Sequence, residues 1–415
     1  MPPQDVAETE SPLKPELPKW QRPEKTKHDL PWADIQIIDL STFDEPSGKE
    51  KLAAELRDAI HHTGFFSVVG TGISSREVQR QYDIAQAFFA LPHAEKAKPE
   101  YKCDFAQGNY FGYREIYEAT VRGTAVRNNV ELWNHAKFTE RYAGEARHPC
   151  FEDFKGEIEE FSRKALDVAL KLLELCALIL ELPPSFFAAQ HRYDSPSDDH
   201  LRYMSYRPRS AADDAAVDNT WTRAHTDFGT LTLLWSQNVA GLQIKTKSSS
   251  SSSDTGSDRD HGGEWRYVPP VDTDKAGEGQ GTGVICNVGD ALDFWSASYL
   301  KSTTHRVVRP PPDQLGANRL GLFYFVRPGD EAVIEPAAAS PLLRRLGLVK
   351  SDSSEEEKGQ ESQEEGKDGE AKREKVTGSR YVRARVKDYH SHGDYADRTG
   401  QVFQVGNLKI VDEAR

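Results

Sequence analysis

His225-Thr226-Asp227, with His305 seventy-eight residues beyond Asp227, is the spacing in this chain that holds the most chemistry. The first part opens 224–234, where a turn leads into an apolar run that reads as a strand. The second lies in Lys301-Ser302-Thr303-Thr304-His305-Arg306-Val307-Val308, which reads as a strand too. Side chains alternate along an extended segment, so His225 and Asp227 share a face. A distant histidine added to that pair gives two imidazoles and a carboxylate, a donor set that suits Fe(II) and leaves three adjacent positions open. A His-x-Asp triplet by itself is weak, because it recurs by chance in surface turns. Arg319 strengthens it. It stands fourteen residues after His305, in Asn318-Arg319-Leu320-Gly321-Leu322-Phe323-Tyr324-Phe325, a strand-like run with no evident structural need for a guanidinium. Its rigid fork matches a carboxylate bidentately. Together the four residues suggest a 2-oxo acid, with its keto acid end on iron and its distal carboxylate on Arg319.

The chain resembles the isopenicillin N synthase-like branch of the Fe(II)/2-oxoglutarate-dependent dioxygenases. The resemblance is carried by residues 35–40, 63–69, 201–206, 224–234, 240–243, 287–290, 301–308 and Arg319, in family order from about Ile35 to about Pro328. It implies a mainly β chain with helices, whose core is a double-stranded β-helix (jelly roll) with an N-terminal helical region packed on it. It also implies Fe(II) held by His225, Asp227 and His305, and 2-oxoglutarate contacted by Arg319 and Tyr206. It implies further that dioxygen is the second cosubstrate and that a small organic molecule is hydroxylated, desaturated or cyclised at a C–H bond. Two positions depart from the family: Gly321 replaces a serine whose hydroxyl would be a second donor to the distal carboxylate, and Met204 replaces an asparagine. A lost hydrogen bond to a charged group costs about 1.5–3 kcal/mol. Two other readings stay open: an oxidase that uses Fe(II) and O2 without 2-oxoglutarate, its Arg319 gripping the substrate's carboxylate, and a non-catalytic ligand-binding jelly roll.

The elements that must position these residues are legible in part. Residues 35–40 and 65–69 read as strands, and 51–62 as a helix stopped by Gly64. Ser74 and Glu77 form a capping-box pattern opening a helix that Pro92 ends. The longest helix is expected over about 154–182, an apolar stripe that backs a sheet, broken by Pro183-Pro184. Eight short β-rich runs follow from 201 to 326, among them 201–206, 231–234, 283–287, 292–294, 303–309 and 319–326, as a jelly roll requires. The resulting division is a disordered tail over 1–30, an N-terminal α/β region over 31–200 and the oxygenase core over 201–345, with a serine-rich insertion at 246–262. An acidic disordered linker follows over 346–378, and 379–415 return to cover the barrel. Within 351–376 there are ten acidic and five basic side chains, too polar to bury a core.

Other residues rank lower. Asn287-Val288-Gly289-Asp290 reads as a turn with Asp290 bonded to backbone, His200 as a surface histidine, His261 as an exposed group, and His390 and His392 as a pair that only superficially resembles metal ligands. Phe294 and Phe323 are either core or substrate-pocket walls. The formal net charge of −13 argues against nucleic acid as a partner. Cys103, Cys150, Cys176 and Cys286 show no CxxC spacing, which points to reduced thiols in the cytoplasm. Mean hydropathy is −0.68, and no apolar run reaches membrane-spanning length.

Overall fold

The computed structural model describes residues 16–121, 124–246, 263–271, 282–350, 375–390, 402–406 and 408–411. Fourteen short strands are formed: β1 (Ile37–Asp39), β2 (Phe65–Val69), β3 (Gly112–Arg114), β4 (Val130–Ala136), β5 (His200–Tyr206), β6 (Thr220–His225), β7 (Leu231–Trp235), β8 (Leu242–Thr246), β9 (Glu264–Tyr267), β10 (Val284–Val288), β11 (His305–Val308), β12 (Arg319–Val326), β13 (Val402–Val405) and β14 (Leu408–Val411). The first twelve make two sheets, one ordered β1-β2-β10-β7-β12-β5-β4-β3 and the other β6-β11-β8-β9. The last two pair with each other.

Period-two alternation sorts the large sheet's side chains into two cores. Leu201 and Tyr203 of β5, Leu231 and Leu233 of β7, and Leu320, Leu322 and Tyr324 of β12 point to a helical layer. Met204, Tyr206, Leu234 and Ile285, one residue out of phase, meet Trp221, Leu242, Ile244 and Val307 of the small sheet. This second core is the inside of a double-stranded β-helix. The helical layer is made by α1 (Gly48–His62), α2 (Ser75–Ala90) and α3 (Lys155–Ile179), with α4 (Gly378–His390) added near the C-terminus. In α3 the expected stripe is buried, including Ile158, Phe161, Ala165, Leu172 and Cys176. At α2 the capping box closes in both directions, Glu77 N–H donating to Ser74 Oγ and Ser74 N–H to Glu77 Oε2. Among the described residues no helix is long and apolar enough to cross a membrane.

Several expectations fail in instructive ways. Composition predicts a disordered tail over 1–30, yet residues 16–30 run as a strap across the molecule; 1–15 lie outside the described residues. Trp20 is 7% exposed and stacks on Tyr82 at 4.2 Å, and its N–H donates to Asp83 Oδ1. Arg22 donates to Ser236 O, and Thr26 to Asp313. One aromatic anchor and a row of hydrogen bonds hold the strap, and neither leaves an apolar period in the sequence. Residues 292–294 read as a strand but lie in a short helix, Asp290–Trp295. Its first turn carries Asp290 and Asp293, which favour a helix N-terminus. Strand β4 has no counterpart in the sequence reading, since burial of all seven residues hides the alternation. Its Glu131 is buried against Lys96 at 2.7 Å and Arg207 at 2.9 Å. His200, expected at the surface, is 1% exposed and stacks on Phe325.

Within the C-terminal stretch, α4 buries Tyr381, Val382 and Val386. The serine-rich run over 247–262, the acidic run over 351–374, His261 and His392 lie outside the described residues.

The strap makes a stability prediction. Trp20→Ala removes a buried aromatic side chain and is expected to lower the unfolding free energy by about 3–5 kcal/mol. Urea unfolding followed by far-ultraviolet circular dichroism measures this, and an unchanged midpoint would show that the strap does not pack.

Candidate active site

The small sheet brings the two histidines together. In the antiparallel β6–β11 pair, His305 stands directly opposite His225, and their ring centroids are 4.3 Å apart. Asp227 follows two residues after the end of β6, in the turn Thr226-Asp227-Phe228-Gly229 that leads to β7. Its Oδ1 lies 3.8 Å from His225 Nε2 and 3.9 Å from His305 Nε2. One donor atom from each of the three residues falls within 4.8 Å of the others.

The hydrogen bonds around the triad decide which atoms are free. His225 Nδ1 is 2.8 Å from Arg223 O, and His305 Nδ1 is 3.1 Å from Thr303 O. A carbonyl can only accept, so each Nδ1 carries the proton and each Nε2 turns a lone pair inward. Asp227 Oδ2 accepts from Thr232 Oγ1 at 2.6 Å and from Asn287 Nδ2 at 2.9 Å, which leaves Oδ1 for the space shared with the histidines. Burial alone would raise the Asp227 carboxyl. The neighbouring imidazoles and the Thr232 and Asn287 donors outweigh burial and hold it well below the usual carboxylate range. Burial, reinforced by the adjacent His305, pulls His225 down to about 3. At neutral pH the site is therefore an anionic carboxylate facing a neutral His225 imidazole, the form in which these groups bind a metal.

The turn itself is pinned from behind. Asp290 N–H donates to Asp227 O at 2.7 Å, Ala291 N–H to Gly229 O and Gly289 N–H to Thr230 O. A Cβ at Gly289 would collide with Gly229 O, so only glycine lets the two backbones approach this closely. Thr226 Oγ1 and Arg385 Nη2 both donate to Asp290 Oδ2. Burial pushes the Asp290 carboxyl up to about 6. The Asp290 carboxylate, expected to bond backbone, takes side-chain donors instead, only its main-chain N–H meeting backbone, and it stands outside the donor cluster. Asn287 does not shape a turn: it lies within β10, and its amide orients Asp227. Sequence reading missed both Asn287 and Thr232. The usable signal was period-two alternation, Asn287 being in phase with Ile285 on β10 and Thr232 with Leu234 on β7, both of which face the barrel interior.

Arg319 opens β12 opposite Tyr206 of β5. It is 3% exposed, and its Nε and Nη1 are buried without a hydrogen-bond partner. Its guanidinium carbon lies 5.0 Å from the Tyr206 ring, and the Tyr206 hydroxyl bonds Thr222 Oγ1. Burial pulls the guanidinium below its ordinary value. A buried cation with unused donors is costly unless an anion meets it. Phe323, two residues past Gly321, fills the place of the missing serine: a Cβ on Gly321 would overlap its ring. Phe323 packs in the barrel interior, whereas Phe294 packs against Tyr381 on the helical side.

Residues 35–151 match the family model for the N-terminal region of the non-haem dioxygenase in morphine synthesis, and residues 192–328 match that of the 2OG-Fe(II) oxygenase superfamily. The chain belongs to the 2OG-Fe(II) oxygenases. Among its relatives, UPF0676 protein C1494.01 of Schizosaccharomyces pombe is 29% identical over 73% of this chain and 84% of that protein. The 2-oxoglutarate-Fe(II) type oxidoreductase ppzD of Metarhizium majus is 25% identical over 75% and 89%. Homoarginine-6-hydroxylase 2-ODD-233 of Oryza sativa is 26% identical over 73% and 88%. The fold is shared with a Neurospora crassa protein whose crystal structure was solved in complex with alpha-KG, at 20% identity and a TM-score of 0.64, covering 88% of this chain and 99% of that one. As a 2OG-Fe(II) oxygenase the protein is an oxidoreductase that uses Fe(II) and 2-oxoglutarate to oxidise a small organic substrate. Its residues fit both groups: two inward imidazole lone pairs and one carboxylate oxygen suit the metal, and the idle Arg319 donors suit an acid.

The Gly321–Phe323 contact is testable. Gly321→Ser forces the Phe323 ring aside, an overpacking expected to cost about 1–3 kcal/mol. Adding Phe323→Ala should recover part of it. Equal melting temperatures for Gly321→Ser and the parent would show that the ring yields freely.

Proposed function

We propose that His225, Asp227 and His305 hold the Fe(II), and that Arg319, with Tyr206 beside it, receives the distal carboxylate of 2-oxoglutarate. The observation that carries the reading is a buried, acid-free guanidinium inside the same barrel whose rim gathers the three donors. When bound, the metal and the 2-oxo acid together supply the activation of dioxygen for attack on a C–H bond. The chain's own part is placement. Arg319 fixes one end of the cosubstrate and so its orientation. Thr232 and Asn287 hold Asp227 with Oδ1 forward, and the carbonyls of Arg223 and Thr303 set the histidine tautomers. Phe65, Leu234, Ile285 and Trp221 line the interior with apolar surface that excludes water. The reading places the protein in the isopenicillin N synthase-like branch, with Arg319 serving 2-oxoglutarate although Gly321 supplies no second donor. Four free cysteines, two of them buried, and a net charge of −13 support a cytoplasmic enzyme with no nucleic-acid or membrane partner.

Replacing His225, Asp227 or His305 singly by Ala is expected to abolish Fe(II) binding measured by anaerobic titration, and turnover with it. Circular dichroism should stay that of the parent, since the interior core does not depend on an ion. Full succinate production by His305→Ala would remove that histidine from the site.

Arg319→Ala leaves the cosubstrate carboxylate unpaired in a buried site, a loss of about 3–5 kcal/mol. The KM for 2-oxoglutarate should therefore rise by roughly two or more orders of magnitude, and Arg319→Lys should recover only part because an ammonium lacks the fork. An Arg319→Ala enzyme that keeps its 2-oxoglutarate KM would show that this arginine holds something else.

A further inference from the structure

Arg319 is not alone on the interior face of the large sheet. Arg202 of β5 and Arg327, the residue after β12, lie on that face at the end where the triad sits. Phe325 pairs with Thr232, the residue whose hydroxyl holds Asp227. The Arg202 guanidinium carbon is 4.5 Å from the Phe325 ring centroid. That of Arg327 is 5.1 Å from the same ring and 3.9 Å from the ring of Phe228, which follows Asp227. Two positive groups thus flank one aromatic ring beside the metal donors.

Neither has an acid of its own. Arg202 Nε donates to Asn134 Oδ1 at 2.7 Å, and its Nη2 lies 3.5 Å from His200 Nε2. Burial and these same arginines hold His200 neutral. Arg327 is 2% exposed, and its Nε and Nη1 are buried without a hydrogen-bond partner. Among the described residues neither guanidinium forms an ion pair. Asp227 is the carboxylate whose field reaches Arg202, and it is committed to the triad. Arg327 lies eight steps along the strand from Arg319, roughly 26 Å along the backbone at about 3.3 Å per residue. An anion at one does not neutralise the other.

We propose that Arg202 and Arg327 bind a carboxylate of the primary substrate, so that this enzyme oxidises an organic acid whose hydrocarbon part lies against Phe325 beside the metal. The proposal rests on the function proposed above and adds the substrate class to it. A carboxylate suits the place better than a phosphate, because the rings of Phe228 and Phe325 displace the water that a dianion would keep.

The test uses the full chain loaded anaerobically with Fe(II) and saturating 2-oxoglutarate, so that Arg319 is occupied. The probes are acetate, benzoate, phenylacetate and 3-phenylpropionate, each followed by calorimetry, with 3-phenylpropionamide and phenyl phosphate as controls. We expect 3-phenylpropionate to bind at least tenfold more tightly than its amide or phenyl phosphate. Arg202→Gln and Arg327→Gln should each weaken the acid at least tenfold and leave the amide unaffected, with Arg202→Lys falling between. Equal binding of acid and amide, tighter binding of phenyl phosphate, undiminished acid binding in both Gln variants, or no binding of any carboxylate would each overturn the proposal. Should Arg327→Gln melt early, Arg202→Gln carries the comparison, since Arg202 is only partly buried. Arg319→Gln separates the two readings. Loss of 2-oxoglutarate with retention of 3-phenylpropionate supports both, whereas loss of the acid in Arg319→Gln alone places it at Arg319 and overturns this one. If the parent fails to bind 2-oxoglutarate, the function reading falls, and the acid-to-amide ratio with Fe(II) alone still decides the substrate class.

Discussion

Everything in this molecule depends on the alternation of side chains along β12. Its even-numbered residues, Leu320 to Val326, cement the sheet to α3 and the rest of the helical layer. Its odd-numbered residues, Arg319, Gly321, Phe323 and Phe325, form one wall of the reaction chamber. A shift of register by one residue would exchange the two sets and put a guanidinium into the helical core. The pairing with β5 over seven residues and with β7 over four fixes that register. The apolar half of the strand therefore supplies the free energy that holds the polar half in place.

The chamber holds its polar groups in two ways. Asp227 is over-determined: two side-chain donors on one oxygen and three backbone hydrogen bonds behind its turn leave it a single useful direction. Arg319 is under-satisfied, with two buried nitrogens that meet no hydrogen-bond partner. The first arrangement belongs to a group that must not move. The second belongs to a group that is complete only when a ligand arrives, and its desolvation cost is one the folded chain carries until then.

Much of this was legible from residue types and spacing. His225 and Asp227 come together as their spacing suggested, because two residues apart at a strand end they have little freedom in where they go; His305 reaches them through the long-range β6–β11 pairing. The capping box at Ser74 and the stripe of α3 were legible for the same reason, both being local patterns. What escaped depends on long-range partners. Residues 130–136 look irregular because both faces are buried and Glu131 is paired with Lys96. Asn287 looked like a turn residue because its role is to reach Asp227, sixty residues away in sequence. Gly321 read as a lost hydrogen bond. In the fold it is the space that the Phe323 ring occupies.

The strap over residues 16–30 bears on how the chain reaches this state. Its first part is anchored on α2, at Gln79, Tyr82, Asp83 and Gln86, whereas Arg22 to Thr26 are held by Ser236, Asn238, Asp313 and Gln314, all more than 200 residues downstream. During synthesis the strap leaves the ribosome well before β7 and the loop preceding β12, so the surface that holds residues 22–26 does not yet exist. Contacts of such separation close late, after the local helices and hairpins have formed. Trp20 can stack on Tyr82 as soon as α2 has formed, whereas residues 22–26 are placed only after β7 and the loop before β12 have been made.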